Sequence, residues 1–141
     1  MKYSPAGSYS MSIHADAEKD LEALYAVDEE GAASIDVFLE EATSSPAVLE
    51  RLLDHRYRSY ETGMDFEVQR WAALWRSFGL WRLRLFDVPG SAASYRIIYA
   101  FHGIQRRYYI LGIVPRNFDY DPKHPFALRI VDTYQALGIP A

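Results

Sequence analysis

The sequence predicts a single α+β domain spanning residues 1–141, in which an N-terminal strand and helices pack on a small antiparallel sheet and a helix ends the chain. Three observations favour this class. Half of the residues are hydrophobic, which is enough for one apolar core in a chain of this length. Helical periodicity is concentrated in the first third, and alternating apolar and polar residues follow it. Glycine and proline separate the alternating segments closely, as in hairpins.

The first third of the chain predicts one strand followed by a helix. Residues 1–8 are mostly small or polar, and we expect them to be flexible. Residues 9–14 alternate apolar and polar side chains, as a half-buried strand does. Asp16 is a suitable N-cap for a helix that runs to about Val27, because its carboxylate can accept hydrogen bonds from free backbone N–H groups.

Two further helices are predicted, with limits set by glycine and proline. Gly31 interrupts the helical pattern, so we expect a second helix over residues 32–43 with one apolar face. Two serines followed by Pro46 predict the end of that helix and the first turn of a short third one. Residues 55–63 are polar and aromatic and predict irregular structure.

The strands of the predicted sheet lie in the second half of the chain. Residues 66–71 alternate and are compatible with a short strand, and a helix is expected to end at Gly79. Three strands follow, predicted over residues 80–86, 94–101 and 106–114. Pro125 then opens the last helix. We expect the helices to cover one face of the sheet and to leave the other face open.

Several functional classes are excluded or disfavoured by composition. The chain has no cysteine, which excludes disulfides, thiolate catalysis and cysteine–zinc sites. Its four histidines are far apart and share no metal-ligand spacing, so we expect neither a metal ion nor a cofactor. No secretory signal and no apolar segment long enough to cross a bilayer is visible. We therefore expect a cytoplasmic protein without a membrane partner.

The net charge of −4 conceals a strong asymmetry. Residues 1–50 carry two lysines against eleven acidic residues, a net charge of −9. Residues 51–141 carry thirteen basic residues, twelve of them arginine, against eight acidic ones, a net charge of +5. This division suggests a functional face for an anionic partner. The alternative, that both halves are ordinary solvated surface, stays open.

Three arginines are predicted to share one face of the sheet. The period of two in a strand places Arg82 and Arg84 opposite the apolar residues between them. Arg96 joins them if the next strand pairs as a hairpin. Residues 80–114 contain five arginines and one acidic residue, and like charges so close repel unless an anion bridges them. Arginine suits phosphate because its planar fork offers paired donors. A basic solvated face is the alternative.

Four more candidate residues follow the last predicted strand. Arg116 lies at the edge of the same sheet, and Tyr120 follows in the loop, where it could stack on a base or transfer a proton. A tyrosine that only anchors the final helix is the alternative. Lys123 and His124 are adjacent to it, and a histidine there could act as an acid or base, although a lone loop histidine is more often merely exposed.

Residues 65–124 resemble the RelE/ParE toxin superfamily of bacterial toxin–antitoxin systems. The similarity is carried by short segments at residues 80–85, 95–99 and 109–114 and by Arg116. Residues 9–53 are similar to the opening strand and helices of that family. The resemblance implies a RelE-like fold and a toxin that stops growth, most often by cutting messenger RNA on the ribosome.

The resemblance also implies roles for individual residues. By motif position, Arg82 and Arg84 match a basic pair that is often lysine, and Arg96 matches the arginine of a Tyr-Arg strand. Arg116 matches the arginine after the last strand, and Tyr120 matches a tyrosine near it. We therefore take Arg96, Arg116 and Tyr120 as the candidate catalytic residues and Arg82 and Arg84 as substrate-binding residues. Lys123 and His124 join the substrate-binding candidates because they lie next to Tyr120 in the sequence.

Two features depart from the family pattern. Tyr120 is closer to Arg116 in sequence than the motif leads us to expect. Residues 66–79 and the acidic first third also differ from the smallest, very basic members.

The sequence thus leads to one hypothesis and two rivals. The hypothesis is a metal-independent, ribosome-dependent mRNA endoribonuclease that cleaves by 2′-hydroxyl attack. A cognate antitoxin would hold it inactive in a toxin–antitoxin hetero-oligomer. The first rival is a ParE-like inhibitor of DNA gyrase, against which the arginine pair argues mildly. The second is a non-catalytic RNA-binding domain that uses the same face.

Overall fold

The computed structural model describes residues 8–59, 65–118 and 121–140, and within them the chain forms an α+β fold around one six-stranded sheet. The strands are β1 (Ser10–Ile13), β2 (Arg58–Ser59), β3 (Asp65–Arg70), β4 (Trp81–Phe86), β5 (Tyr95–His102) and β6 (Arg107–Pro115). The helices are α1 (Ala15–Val27), α2 (Glu29–Thr43), α3 (Pro46–Arg51), α4 (Ala72–Phe78) and α5 (Pro125–Ala136). The α+β class and the C-terminal helix are confirmed. The residues expected to be flexible lie outside the described part, apart from Ser8.

The sheet is mixed, so the expectation of a small, wholly antiparallel sheet is wrong. Its strand order is β1-β6-β5-β4-β3-β2, and β1 runs parallel to β6 while the other neighbours are antiparallel. Turn residues predict the direction only of strands that are adjacent in sequence. β1 instead pairs with the last strand, with Ser10 opposite Arg107. The sheet is also larger than expected, and the RelE-like architecture stays a proposal.

The helix starts differ from the sequence expectation at two places. His14, and not Asp16, caps α1, because its Nδ1 accepts from the Asp16 backbone N–H at 3.0 Å. Gly31 lies inside α2, where its N–H donates to the Asp28 carboxylate at 3.1 Å. Glycine is required there because a Cβ at position 31 would clash with the Asp28 carboxylate and approach the Ser91 backbone N–H, while a Cβ at Gly90 would in turn clash with the Gly31 backbone. Gly31 therefore marks a close approach between two segments and does not end a helix.

Both faces of the sheet are covered in part, which corrects the expectation of one open face. Helices α1, α2 and α3 pack on the first face, where Tyr99 and Tyr108 are fully buried and donate to backbone carbonyls of the α3 region. Helices α4 and α5 pack on the second face over β5 and β6, around Ile98, Leu111 and Ile130. The signal is present in the sequence, because β5 and β6 are apolar on both sides, as strands buried on both faces are. The second face stays polar only over β3 and β4.

Candidate functional site

The predicted arginines lie on the polar half of the second sheet face. In β4 the buried residues Trp81, Leu83 and Leu85 alternate with the half-buried Arg82 and Arg84. Arg82 pairs with Ile98 of β5, and Arg96 lies two residues before Ile98 on the same side of that strand. We call the surface formed by Arg82, Arg84 and Arg96 the arginine face.

Strand β3 places acidic and amide side chains beside these arginines, which sequence reasoning missed. Glu67 is the cross-strand partner of Arg84, and Gln69 is the partner of Arg82. Counting acidic residues only within 80–114 overlooked them. The alternation of residues 66–71 with the same period as β4 was the available signal, because antiparallel pairing of β3 with β4 brings the polar sides of both strands together. The arginine face is therefore balanced by at least one carboxylate.

Each of the two β4 arginines has a defined environment. Arg82 Nη2 donates to Gln69 Oε1. The guanidinium carbon of Arg84 lies 4.4 Å from the centroid of the Phe86 ring, and that of Arg58 lies 3.6 Å from the same ring. Arg58 in turn forms a bidentate pair with Asp65, with both N–O distances 3.0 Å. Stacking on an aromatic ring holds a guanidinium plane in place without using its hydrogen-bond donors.

Arg96 is buried and supports the backbone. Its side chain is only 5% exposed, and its Nη1 donates to the carbonyls of Ala93 and Tyr95 at 3.0 and 2.9 Å. These bonds fix the turn that leads into β5. Arg96 therefore has a structural role in addition to any role toward a ligand.

Arg116 offers the opposite environment, because it is exposed. It begins a single 3₁₀ turn, Arg116–Phe118, directly after β6. Its neighbour Pro115 is the cross-strand partner of Tyr95, so Arg116 lies at the end of the sheet where β5 begins. Arg96 and the last residues of β4 lie at this same end. The fold thus brings Arg84, Arg96 and Arg116 to one end of the sheet.

The other candidates after β6 divide into three cases. Tyr120 lies outside the described residues. Lys123 is exposed. His124 is the N-cap of α5: its Nδ1 accepts from the Phe126 N–H at 3.1 Å, and its ring stacks on Phe126 with centroids 5.0 Å apart. While Nδ1 accepts this hydrogen bond, the neutral ring carries its proton on Nε2, so His124 can donate a hydrogen bond there but cannot act as a base until the cap opens.

Within residues 8–59, 65–118 and 121–140, no helix has both the length and the apolar character needed to cross a membrane. In the same residues there is no group of three or more histidine, aspartate or glutamate side chains that could hold a metal ion. Comparison with protein-family models, curated proteins and solved structures finds no match for this chain.

Proposed function

We propose that the protein is the toxin of a toxin–antitoxin pair and that it cuts messenger RNA on the ribosome without a metal ion. The observation that carries this proposal is the convergence of Arg84, Arg96 and Arg116 at one end of the sheet, beside Arg82. The resemblance of these segments to the RelE/ParE superfamily supports it. Its location would be cytoplasmic, where ribosomes and message meet.

The proposed reaction is an attack of an RNA 2′-hydroxyl on the adjacent 3′-phosphate. The new bond joins the 2′-oxygen to phosphorus, and the bond from phosphorus to the 5′-oxygen of the next nucleotide breaks. The products are a 2′,3′-cyclic phosphate and a 5′-hydroxyl end, so one proton leaves the 2′-oxygen and one reaches the 5′-oxygen. Arg96 and Arg116 would stabilise the charge that grows on the phosphate oxygens, as preorganised donors do.

The remaining residues would bind RNA or move protons. Arg82 and Arg84 would hold flanking phosphates, which gives affinity without sequence readout. Lys123 and His124 would contact the strand beyond them. Tyr120 would stack the target base or assist proton transfer.

Glu67 is an addition that the fold brings to this mechanism. It is paired in register with Arg84, and a carboxylate can accept the 2′-hydroxyl proton where arginine cannot. Arginines and one carboxylate still do not align the 2′-hydroxyl with the departing oxygen. Alignment can contribute roughly 7 kcal/mol or more, and the ribosome would supply it by presenting a constrained message.

The test compares cleavage of one messenger RNA with and without stalled ribosomes, in the presence of EDTA. We expect rapid cleavage of the ribosome-bound message, slow cleavage of naked RNA and no effect of the chelator. Arg116→Ala and Glu67→Gln should each slow cleavage by on the order of a hundredfold. Arg107→Ala removes an exposed arginine from the opposite end of β6 and serves as the matched control.

The possible outcomes separate the proposal from its rivals. Equal rates on naked and ribosome-bound RNA would contradict ribosome dependence. RNA binding without cleavage would favour the non-catalytic RNA-binding domain. No cleavage, together with inhibited DNA supercoiling, would favour the gyrase inhibitor.

A further inference from the structure

A basic cleft lies at the end of strand β3, outside the set of residues that the sequence singled out except for Arg82. Its volume is ≈ 580 Å³, within the range of roughly 300–1,000 Å³ that is typical of small-ligand sites. We call it the edge cleft. Its lining residues are His55, Arg56, Gln69, Arg70, Trp71, Ala72, Ala73 and Arg82.

Main-chain hydrogen bonds bring the basic residues of the edge cleft together. The Arg56 N–H donates to the Val68 carbonyl at 2.8 Å, which lays the segment before β2 along β3. The Arg70 N–H donates to His55 Nδ1 at 3.0 Å. These two bonds tie the turn that carries His55 and Arg56 to the edge of the sheet.

The charge of the edge cleft is strongly positive. Three arginines and one histidine line it, and among its described lining residues there is no carboxylate. The guanidinium carbon of Arg70 lies 4.6 Å from the Trp75 ring and 5.8 Å from the Trp81 ring, which orients its plane before any ligand arrives. Such a concentration of basic residues, with the Arg70 plane held in place, is an electrostatic site for a phosphate-bearing ligand.

His55 supports this interpretation as a hydrogen-bond donor. Partial desolvation and the charges of Arg70, Arg56 and Arg82 lower the pKa of His55, which favours its neutral imidazole. Because Nδ1 accepts from Arg70, the proton of the neutral ring is on Nε2. His55 is therefore a donor, and it cannot act as a general base at Nε2 while this hydrogen bond is in place.

We infer that the edge cleft binds the phosphate backbone of single-stranded RNA and extends the arginine face beyond the cleavage site. This inference rests on the proposed function, because Arg82 belongs both to the cleft and to the arginine face. An RNA strand held by Arg82 and Arg84 along β4 would continue past Gln69 into the cleft. Since Trp71 is only 1% exposed, the cleft offers cations to the backbone and not an aromatic surface to the bases.

The test is equilibrium binding of a fluorescent single-stranded RNA of about twelve nucleotides, a length within the range of single-strand sites. Its 2′-hydroxyls are methylated, so that it cannot be cut. The variant is the double substitution Arg56→Asn with Arg70→Gln. Asparagine suits position 56 because Arg56 has a φ of 71°, in the left-handed region that asparagine tolerates. Arg76→Gln on α4 removes an exposed arginine outside the cleft and is the matched control.

We expect the double variant to bind RNA at least about tenfold more weakly than the wild type. The slope of log Kd against log salt concentration should fall by about 1.4, because two phosphate contacts are lost. The control should bind like the wild type. Circular dichroism establishes that the variants are folded. The single variant Arg56→Asn leaves the stacking of Arg70 on tryptophan intact, and it should show about half of the change in slope.

RNA binding tests the edge cleft, and cleavage tests the endoribonuclease proposal, so either can be contradicted without the other. If the double variant binds RNA as tightly as Arg76→Gln does, the edge cleft is not an RNA site, whatever the cleavage activity. If the wild type binds no RNA, the inference is likewise overturned. If the variants lose binding as expected but the wild type cuts no message, the cleft stands and the endoribonuclease proposal fails.

Discussion

The two arginines proposed to stabilise the transition state lie in opposite environments. Arg96 is buried and donates to two backbone carbonyls, whereas Arg116 is exposed on a single 3₁₀ turn. Removing a buried donor leaves its acceptors unsatisfied, whereas removing an exposed side chain does not. Loss of activity in an Arg96 variant could therefore result from a destabilised fold or from a lost catalytic group. An Arg116 variant tests the catalytic role without changing the fold.

We expect Arg116→Ala to relieve growth arrest in bacteria without changing the melting temperature. Arg96→Ala should relieve growth arrest and also destabilise the fold, by roughly 1.5–3 kcal/mol for a lost charged hydrogen bond. Growth curves and thermal unfolding by circular dichroism measure the two effects. Undiminished toxicity in a folded Arg116→Ala protein would remove this residue from the site.

A second residue-scale prediction concerns the pH dependence of stability. Hydrogen bonds from the Ser91 hydroxyl, the Gly31 N–H and the Ser91 N–H lower the pKa of Asp28. Because the pKa is lower in the folded state, this contribution is present above the unfolded pKa and is lost as the pH falls through the folded value. Ser91→Ala should therefore lower the melting temperature near neutral pH and make its decrease below about pH 4 shallower.

Melting temperatures of the wild type and Ser91→Ala from about pH 6 downwards check this prediction. Ser94→Ala, at an exposed serine in the same turn region, is the control and should behave like the wild type. Parallel curves for the wild type and Ser91→Ala would show that the Ser91 hydroxyl does not set the pKa of Asp28.

At the scale of elements, helix α5 is tied to the sheet by packing and by one carboxylate. Asp20 of α1 accepts from Arg129 Nη1 and Nη2 at 2.8 and 2.7 Å and from the Ile113 N–H at 2.9 Å. Helix α1, strand β6 and helix α5 thus meet at a single side chain. Gly112 permits this approach, because a Cβ there would lie 3.0 Å from both Arg129 and Ile130.

Ile130 is the residue of α5 on which we expect packing to depend most. Its side chain is 0% exposed and lies in the core on the second sheet face. Ile130→Ala should lower the free energy of unfolding by about 2–5 kcal/mol, because it leaves a cavity. Leu128→Ala on the same helix, where the leucine is 54% exposed, should change it by no more than about 0.5 kcal/mol. Urea denaturation measures both, and equal effects would mean that α5 is only loosely packed.

At the scale of the whole molecule, charge is distributed between the two faces of the fold. The acidic first third supplies α1, α2 and α3 on the first sheet face, and the arginine face lies on the second. An apolar pocket of ≈ 400 Å³ beside α2 is rimmed by Glu30, Glu41 and Asp65. An acidic partner would be repelled there and attracted to the arginine face.

We therefore expect the proposed antitoxin to lay an apolar helix and acidic side chains over the arginine face. Hydrogen exchange of the complex should show protection in β4 and at the start of β5, with α2 unchanged. Co-expression of the antitoxin should restore growth. A complex that leaves the exposed Arg116 and the half-buried Arg82 and Arg84 all accessible would contradict direct blockade.

The sequence by itself determined the features that depend on neighbours along the chain. Alternation in residues 80–86 placed Arg82 and Arg84 on one side of β4, and Pro46 and Gly79 marked helix ends correctly. Side-chain period and backbone preference act over a few residues, so a local pattern carries this information.

Only the tertiary structure decided which distant segments meet. It placed β1 parallel to β6, brought Glu67 opposite Arg84, packed α5 on the second sheet face, and joined His55 and Arg56 to Arg70 in the edge cleft. Each of these contacts joins segments that local patterning does not link, because their pairing is set by which apolar surfaces can be buried together. The arginines could therefore be found in the sequence, whereas the tertiary structure decided the cleft beside them and the pairing with Glu67, for which the alternation of residues 66–71 was the one local signal.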